Sequence, residues 1–335
     1  MAAKRVALAL QGGGSHGAYT WGVLDRLLEE ERIEIEGVSG ASAGAVNAVV
    51  LAHGYAEGGR EGSKRALDAF WRAVASMPYS GMSIAPDAQR PDPASKSYLF
   101  LTRFFSPYQL NPLNVNPLRD VLSAQIDFDR LRSRSPLKLF ISATRVSDGA
   151  LKIFSRGELT LNAVLASACL PSIHHTVEVD GVAYWDGGLA ANPPVSVLVY
   201  RCDARDVLVV VLNPRGGDKI PATADEIAER VTQISFSSAL SSELHATALA
   251  RAEAQQSSFA WGRLDRRLSR LNLHVIDSGS YLSALDPTSR FNTGGNFIAS
   301  LREEGRKQAD AWLRNNLHSI GMRSTFALDA ALMRT

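Results

Sequence analysis

A serine flanked by small residues is the strongest chemical signal in this chain of 335 residues. The segment Gly40-Ala41-Ser42-Ala43-Gly44 has the pattern G-x-S-x-G and lies between an apolar run and a run rich in small residues. On a sharp strand-to-helix turn, a serine hydroxyl is exposed at a helix N-terminus, where the helix dipole favours developing negative charge. The pattern predicts that Ser42 is a nucleophile. The alternative is a glycine-rich turn that packs a helix closely onto a sheet.

A second motif, Gly12-Gly13-Gly14-Ser15-His16-Gly17, follows an apolar run and precedes a helical pattern. Glycines allow backbone amides to face one point, and near a helix N-terminus such amides bind negative charge. Two interpretations stay open here. The first, third and last glycines satisfy the dinucleotide pattern G-x-G-x-x-G, with Glu34 and Glu36 about 20 residues further on. The other interpretation is an oxyanion hole for acyl transfer. A P-loop is excluded because no Gly-Lys-Ser/Thr follows.

The nucleophile needs a base, and none of the seven histidines lies in a recognisable acid–histidine context. The pair His174-His175 is the best placed, but a capping or surface role suits it better. The segment Asp186-Gly187-Gly188 ends an apolar strand pattern and could present its carboxylate directly to a serine hydroxyl. Taken alone, Asp-Gly-Gly is better explained as an ordinary turn.

Taken together and in this order, the three motifs resemble those of the patatin-like phospholipase family. That family has a glycine-rich oxyanion loop near its N-terminus, a G-x-S-x-G nucleophile and a D-G-G/A motif with the second catalytic residue. The flanking segments 166–171 and 188–194 are also similar to the family, so the resemblance extends from about Arg5 to Leu212.

The resemblance implies a three-layer α/β/α fold with a mostly parallel central sheet and a Ser–Asp dyad. Ser42 would attack an ester carbonyl while Asp186 accepts its proton. The implied oxyanion donors are the backbone amides of Gly12, Gly13, Gly14 and Ala43. The remaining motif glycines would shape the loops; they are Gly17, Gly40, Gly44, Gly187 and Gly188. No cofactor or metal is expected.

One position departs from the family, because His16 stands where members often carry arginine. We expect this difference to affect head-group preference and not activity, since backbone amides would bind the oxyanion. The principal alternative keeps the chemistry but changes the substrate to a short-chain ester or a polyester oligomer. A nucleotide-binding protein would leave the Ser42 and Asp186 motifs without a role. A catalytically silent lipid-binding protein would not need both residues intact.

The elements that must position these motifs alternate between strands and helices. Apolar runs predict strands at Arg5–Gln11, Ile33–Val38, Leu137–Thr144 and Val207–Leu212. Helical spacing predicts helices at Tyr19–Glu30, Ala43–His53 and Thr223–Gln256. The dipeptide Asp180-Gly181 between two short apolar runs predicts a hairpin. This alternation is typical of a mostly parallel sheet covered by helices.

Residues 76–117 interrupt the alternation because they include seven prolines, which prevent long regular elements. This segment also carries an aromatic cluster: Tyr98, Phe100, Phe104, Phe105 and Tyr108. It predicts a lid or an acyl-binding wall, or else an irregular segment that its aromatic residues anchor. We expect Phe104 and Phe105, with apolar residues of Ile227–Ile234, to line an acyl pocket. We also expect a catalytic domain at 1–220 and a helical C-terminal region, 221–335, packed on it.

The composition of the chain restricts the classes of partner and the compartments that we expect. A net charge of +2 without a dense basic run argues against nucleic-acid binding. Two cysteines are too few for a disulfide framework and fit a reducing compartment. The apolar run Val6–Leu10 is too short for a signal peptide, and no stretch approaches the ~18 apolar residues of a membrane span. We therefore expect a cytoplasmic protein with a lipid or other ester as substrate and, at most, peripheral membrane contact.

Overall fold

Eight strands form one mixed sheet in the computed structural model, which describes residues 3–77, 100–212, 220–256 and 262–326. The strands in this part of the chain are β1 (Lys4–Leu10), β2 (Ile33–Gly40), β3 (Lys138–Arg145), β4 (Leu151–Ser155), β5 (Val177–Val179), β6 (Val182–Asp186), β7 (Asp206–Val211) and β8 (Asn272–Asp277). Their order is β5-β6-β3-β2-β1-β7-β8, and β4 also pairs with β3. Strands β3, β2, β1, β7 and β8 are parallel, whereas β4, β5 and β6 pair antiparallel.

Helices connect and cover these strands. They are α1 (Gly17–Leu28), α2 (Ala43–Ala75), α3 (Pro107–Leu110), α4 (Pro117–Gln125), α5 (Phe128–Arg134), α6 (Leu161–Ser167), α7 (Ser196–Arg201), α8 (Ala224–Gln256), α9 (Arg263–Ser269) and α10 (Gly295–Asn316). Helix α2 is kinked at Gly58 and Gly59, where the backbone leaves the helical conformation. Among the described helices, none has both the length and the apolar character that crossing a membrane requires.

Strand β1 shows why the molecule has three layers. Its residues Leu8 and Leu10 belong to a core shared with α1, α2 and α10, whereas Ala7 and Ala9 belong to a second core with α7 and α8. Successive strand residues point to opposite faces of a sheet, so helices cover β1 on both sides. A parallel strand buried on both faces needs a continuous apolar sequence, and β1 and β7 have one. The predicted α/β/α architecture is therefore confirmed.

Most predicted elements lie within two residues of their observed bounds. The hairpin is also confirmed, because β5 and β6 pair antiparallel around Asp180 and Gly181, which both have positive φ. Helix α2 runs well beyond the predicted end at His53. Strands β4 and β8 were not predicted. Because β8 pairs with β7, the region after residue 220 is not solely helical, and it adds a strand to the sheet.

The sheet register brings the three motifs together. Leu10, the last residue of β1, pairs with Gly40 of β2, and Gly40 pairs with Ile141 of β3. Two residues further along β3, Ala143 pairs with Asp186 at the end of β6. The glycine loop, the serine motif and the aspartate motif thus all begin where these strands end. The carboxyl ends of parallel strands are the usual position of a site in an open α/β sheet.

Candidate active site

Ser42 occupies a strained turn between β2 and α2. Its backbone has φ 52° and ψ −126°, a left-handed conformation that non-glycine residues rarely adopt. Its N–H donates to the Ser167 carbonyl oxygen (3.1 Å) and hydroxyl (3.0 Å). The turn also depends on small neighbours. A Cβ on Gly40 would lie 2.5 Å from the Gly44 carbonyl, and a Cβ on Gly44 would lie 2.0 Å from the Leu10 carbonyl oxygen. The backbone therefore has the geometry of a nucleophile elbow.

Asp186 ends β6 and is completely buried. Its Oδ1 accepts a hydrogen bond from the Gly188 N–H (2.8 Å), and its own N–H donates to the Cys169 carbonyl oxygen (2.7 Å). Within the described residues, its Oδ2 has no hydrogen-bond partner of good geometry. The Ser42 hydroxyl nevertheless lies close enough to influence the carboxyl group.

Burial determines the acidity of Asp186. Loss of hydration raises its pKa to about 7, although the hydrogen bond from the Gly188 amide and the nearby Ser42 hydroxyl act in the opposite direction. A carboxyl group with a pKa near neutrality can both accept and return a proton at physiological pH. The buried carboxyl group of Asp186, with its raised pKa, is thus suited to general-base chemistry beside Ser42.

Gly12 links the glycine loop to Asn192. Its N–H donates to Asn192 Oδ1 (2.7 Å), and Asn192 Nδ2 donates in turn to the Phe236 carbonyl oxygen on α8 (3.0 Å). The Gly12 amide is therefore occupied and is not free to bind an oxyanion, which corrects the expectation from the sequence. Gly12 serves close packing instead, since a Cβ there would lie 2.7 Å from Ser42 Cβ.

The other three amides that the sequence predicted as oxyanion donors are not occupied in this way. In the described part of the chain, the N–H groups of Gly13, Gly14 and Ala43 have no protein acceptor. Gly14 has φ +59°, and a Cβ on it would lie 2.3 Å from the Arg290 carbonyl oxygen. Gly13 and Gly14 line one cavity with Ser42, and Gly14 and Ala43 line a second cavity with it. All three residues therefore line a cavity at Ser42, where an oxyanion would need hydrogen-bond donors.

Ser42 opens onto two cavities. The loop cavity, of about 290 Å³, is lined by described residues that include Gly12–Gly14, Ser42, Leu170, Val231, Phe236 and Arg290. The apolar pocket, of about 200 Å³, contains Ser42 together with Val46, Phe70, Trp71, Val74, Leu118 and Ile173. An outer cavity of about 940 Å³ is lined by residues that include Phe100, Leu101, Arg103, Glu229 and Arg290. A carbonyl at Ser42 could therefore place an apolar chain in one cavity and a polar group in another.

The predicted acyl-pocket residues lie elsewhere. Phe104 and Phe105 are 67% and 45% exposed and do not contribute to the described lining of either cavity at Ser42. Tyr98 lies outside the described residues. Of Ile227–Ile234, Val231 lines the loop cavity, whereas the two terminal isoleucines are 48% exposed. Helix α2, whose length the sequence patterns underestimated, contributes Val46, Phe70, Trp71 and Val74 to the apolar pocket.

None of the histidines, all of which the structure describes, is hydrogen-bonded to Ser42 or Asp186. His16 is buried behind the glycine loop, with its Nε2 2.8 Å from Ser289 Oγ. Burial lowers its pKa to about 4, and the charge of Arg290 acts in the same direction. His16 therefore stays neutral and does not line the described cavities, which argues against a direct role in head-group preference. His174 lines the apolar pocket, and burial lowers its pKa to about 4 as well.

The dinucleotide interpretation of the glycine loop is not supported. Glu36 accepts hydrogen bonds from Lys138 Nζ (2.7 Å) and from the Asp203 and Ala204 amides (2.7 and 2.6 Å). Glu34 pairs with Arg5 across an exposed surface. Both carboxylates are on the first half of β2, whereas the glycine loop lies beside the last residue of that strand. An acid that binds a ribose would need to lie at the carboxyl end of the strand.

One family of known proteins and two solved structures are similar to this chain. Residues 8–199 match the patatin-like phospholipase family. VipD from Legionella pneumophila is a similar solved structure, with 16% sequence identity and a TM-score of 0.44 over 93% of this chain and 67% of that chain. The ExoU–SpcU complex of the Pseudomonas aeruginosa type III secretion system is similar at 15% identity and a TM-score of 0.36, over 95% of this chain and 52% of that chain.

No curated protein matches this chain significantly. The family match alone spans more than half of the 335 residues and contains all three motifs. The residues that it covers include the strained serine, the buried aspartate and the glycine loop described above. This chain therefore belongs to the patatin-like phospholipase family.

Proposed function

We propose that this chain is a serine acyl hydrolase that cleaves carboxylic esters of lipids, in the manner of a phospholipase A or a lysophospholipase, through Ser42 and Asp186. The strongest support is the position of the two side chains. A serine held at a strained helix N-terminus lies beside a buried carboxyl group whose Oδ2 is unpaired among the described residues. Burial has raised the pKa of that carboxyl group to about 7.

In the first half of the reaction, Asp186 accepts the Ser42 proton while Oγ attacks the ester carbonyl carbon. The carbonyl oxygen gains negative charge, which the Gly13, Gly14 and Ala43 amides stabilise. When the tetrahedral intermediate collapses, the proton passes from Asp186 to the departing alcohol oxygen. The products of this half are the free alcohol and an acyl ester on Ser42.

In the second half, water attacks the acyl ester and Asp186 accepts a proton from it. Collapse of the second intermediate returns the proton to Ser42 Oγ and releases the fatty acid. The proton that Asp186 accepts is returned within each half, so the carboxyl group ends unchanged. A pKa near 7 suits this alternation, because a general base and acid works best near the ambient pH.

The apolar pocket supports a lipid substrate. Its described lining is mostly hydrophobic and includes Val46, Phe70, Trp71 and Val74 of α2, and it reaches Ser42 directly. Burial of each acyl methylene contributes roughly 0.8 kcal/mol, so a pocket of this kind favours acyl chains over short esters. The exposed side chains of Phe104 and Phe105 are better suited to contact with a lipid surface than to an acyl pocket.

Hydrolysis of p-nitrophenyl esters with acyl chains of two to sixteen carbons tests this function. We expect wild type to prefer the longer chains, and Ser42→Ala and Asp186→Asn to lose activity while circular dichroism shows that they remain folded. An optimum at two carbons would instead indicate an esterase for non-lipid substrates. An inert wild type, or full activity in both variants, would contradict the assignment.

A further inference from the structure

Arg290 is a cation that lines the cavities around Ser42. It belongs to the 3-10 segment Pro287–Phe291, outside the residues that match the family. It lines the loop cavity and the apolar pocket, both of which contain Ser42, and the outer cavity as well. The segment also supports the glycine loop, because the Arg290 carbonyl oxygen occupies the space that a side chain at Gly14 would need.

Among the described residues, the Arg290 guanidinium has no close counter-ion. Its Nε donates to the Pro287 carbonyl oxygen (2.8 Å), and no carboxylate of the described residues lies within 4.0 Å of it. Glu229, which lines the outer cavity, acts on it only through longer-range attraction. The carboxyl group of Glu229 accepts a hydrogen bond from Gln233 Nε2 (2.8 Å) instead.

The positive charge of Arg290 is not balanced by the described groups around it, Glu229 and His16. Burial lowers the pKa of Arg290, but a guanidinium stays protonated at any physiological pH. Burial raises the pKa of the Glu229 carboxyl group, whereas the charge of Arg290 lowers it. His16, whose pKa the charge of Arg290 helps to lower, is neutral. The result is a largely buried positive charge beside the nucleophile, and an anionic ligand would compensate for its lost hydration.

We propose that Arg290 binds a phosphate group of the lipid substrate and so makes the enzyme selective for phosphorylated lipids over neutral ones. This inference rests on the proposed function and adds its head-group chemistry. The guanidinium fork matches phosphate oxygens in geometry and charge. With the acyl chain in the apolar pocket and the ester at Ser42, the phosphate of a lysophospholipid lies toward the loop and outer cavities. Arg290 thus supplies a positive charge near Ser42. The glycine loop supplies none, because its His16 is neutral.

A kinetic comparison tests the head-group selectivity. Wild type, Arg290→Gln and Arg290→Lys are measured on a lysophosphatidic acid and on a monoacylglycerol with the same acyl chain. In Arg290→Gln, we expect kcat/KM for the phosphorylated lipid to fall roughly ten- to a hundredfold, the range of a lost charged hydrogen bond, with little change for monoacylglycerol. Arg290→Lys should recover part of the loss. Equal losses on both substrates, or no loss on either, would overturn the proposal.

Two further variants sharpen the comparison. Arg119→Gln removes the same charge from an exposed arginine of α4, which donates to Asn162 Oδ1 (3.1 Å), and should leave both substrates unaffected. Glu229→Gln keeps the shape of the carboxyl group but removes its negative charge. It should improve kcat/KM for the phosphorylated lipid alone. A loss in Glu229→Gln on that substrate would contradict the electrostatic account.

A binding measurement separates this inference from catalysis. Calorimetric titration of Ser42→Ala with decyl phosphate should show binding, and Ser42→Ala/Arg290→Gln should lose it even if wild type hydrolyses no ester. Equal affinity of both proteins for decyl phosphate would overturn the role of Arg290. Inorganic phosphate is titrated in parallel. If it binds as tightly as decyl phosphate, the ligand is free phosphate and the lipid assignment is wrong.

Discussion

Ser167 accepts the backbone N–H of Ser42 through both its carbonyl oxygen and its hydroxyl oxygen, at 3.1 and 3.0 Å. Two residues later, the Cys169 carbonyl oxygen accepts the backbone N–H of Asp186 (2.7 Å). The C-terminal end of α6 and the residues that follow it therefore hold both members of the proposed dyad by their main chains. These bonds help to keep Ser42 at its positive φ, a conformation that costs about 1–3 kcal/mol in isolation.

Ser167→Ala should weaken this support without abolishing it, because the carbonyl acceptor remains. We expect kcat to fall about five- to tenfold, which corresponds to the roughly 1 kcal/mol of one hydrogen bond. The melting temperature should fall only slightly. Steady-state kinetics and thermal unfolding measure the two effects. Ser123→Ala, on the exposed surface of α4, is the matched control, and an equal kcat loss there would argue against a specific role for Ser167.

The pH dependence of the reaction reports on Asp186. Only the ionised carboxylate can accept a proton, and burial raises its pKa to about 7. The value of kcat/KM should therefore be low in acid, rise through an apparent pKa near 7 and level off above it. Titration of His16 or His174 cannot produce this rise in kcat/KM near pH 7, since burial lowers their pKa to about 4. A profile that is flat from pH 5 to pH 8 would contradict the assignment of Asp186 as base.

Asn192 is predicted to position the glycine loop through Gly12. Asn192→Ala removes the acceptor of the Gly12 N–H and leaves a buried donor unpaired, at a cost of about 1–3 kcal/mol in stability. We expect kcat to fall as well, because Gly13 and Gly14 follow directly. Asn192→Asp keeps the acceptor but cannot donate to Phe236, so its kcat should fall less. Kinetics and denaturant unfolding of both variants measure the difference, and full activity in Asn192→Ala would exclude the positioning role.

The apolar pocket should set the acyl-chain preference. Val46 lies one turn after Ser42 on α2 and lines this pocket, so Val46→Phe should shorten the optimal chain. The added bulk also costs about 1–3 kcal/mol in stability, which thermal unfolding would detect. Phe104→Ala and Phe105→Ala are the matched controls and should leave the chain-length profile unchanged, since both side chains are exposed. If the chain-length profile changes only in these two controls, Phe104 and Phe105 form the acyl pocket and Val46 does not.

The features that the sequence predicted correctly are local. The strand β1 and its glycine loop, the serine turn and the hairpin are each specified by adjacent residues. Strand β8 was missed because it alternates apolar residues with Asn272, His274 and Asp277, and this pattern is not an apolar run. His274 is nevertheless buried, because its Nε2 lies 2.9 Å from Asp206 Oδ1 on the neighbouring strand. Such a partner, 68 residues away, leaves no signal near His274.

The supporting residues of the site could not be predicted for the same reason. Ser167 contacts Ser42 across 125 residues, and Asn192 contacts Gly12 across 180 residues. Arg290 joins the glycine loop from a segment beyond the three motifs. The aromatic cluster that includes Phe104 was a reasonable sign of apolar contact, but a cluster does not specify whether the contact is with the core, the substrate or a lipid surface.

Covalent labelling tests the central claim most directly. The folded protein is incubated with a long-chain fluorophosphonate, which reacts with activated serines, and the labelled peptide is identified by mass spectrometry. We predict one adduct, on Ser42, that is absent in Ser42→Ala and forms far more slowly in Asp186→Asn. Labelling of a different serine, or an undiminished rate in folded Asp186→Asn, would contradict a Ser42–Asp186 acyl hydrolase.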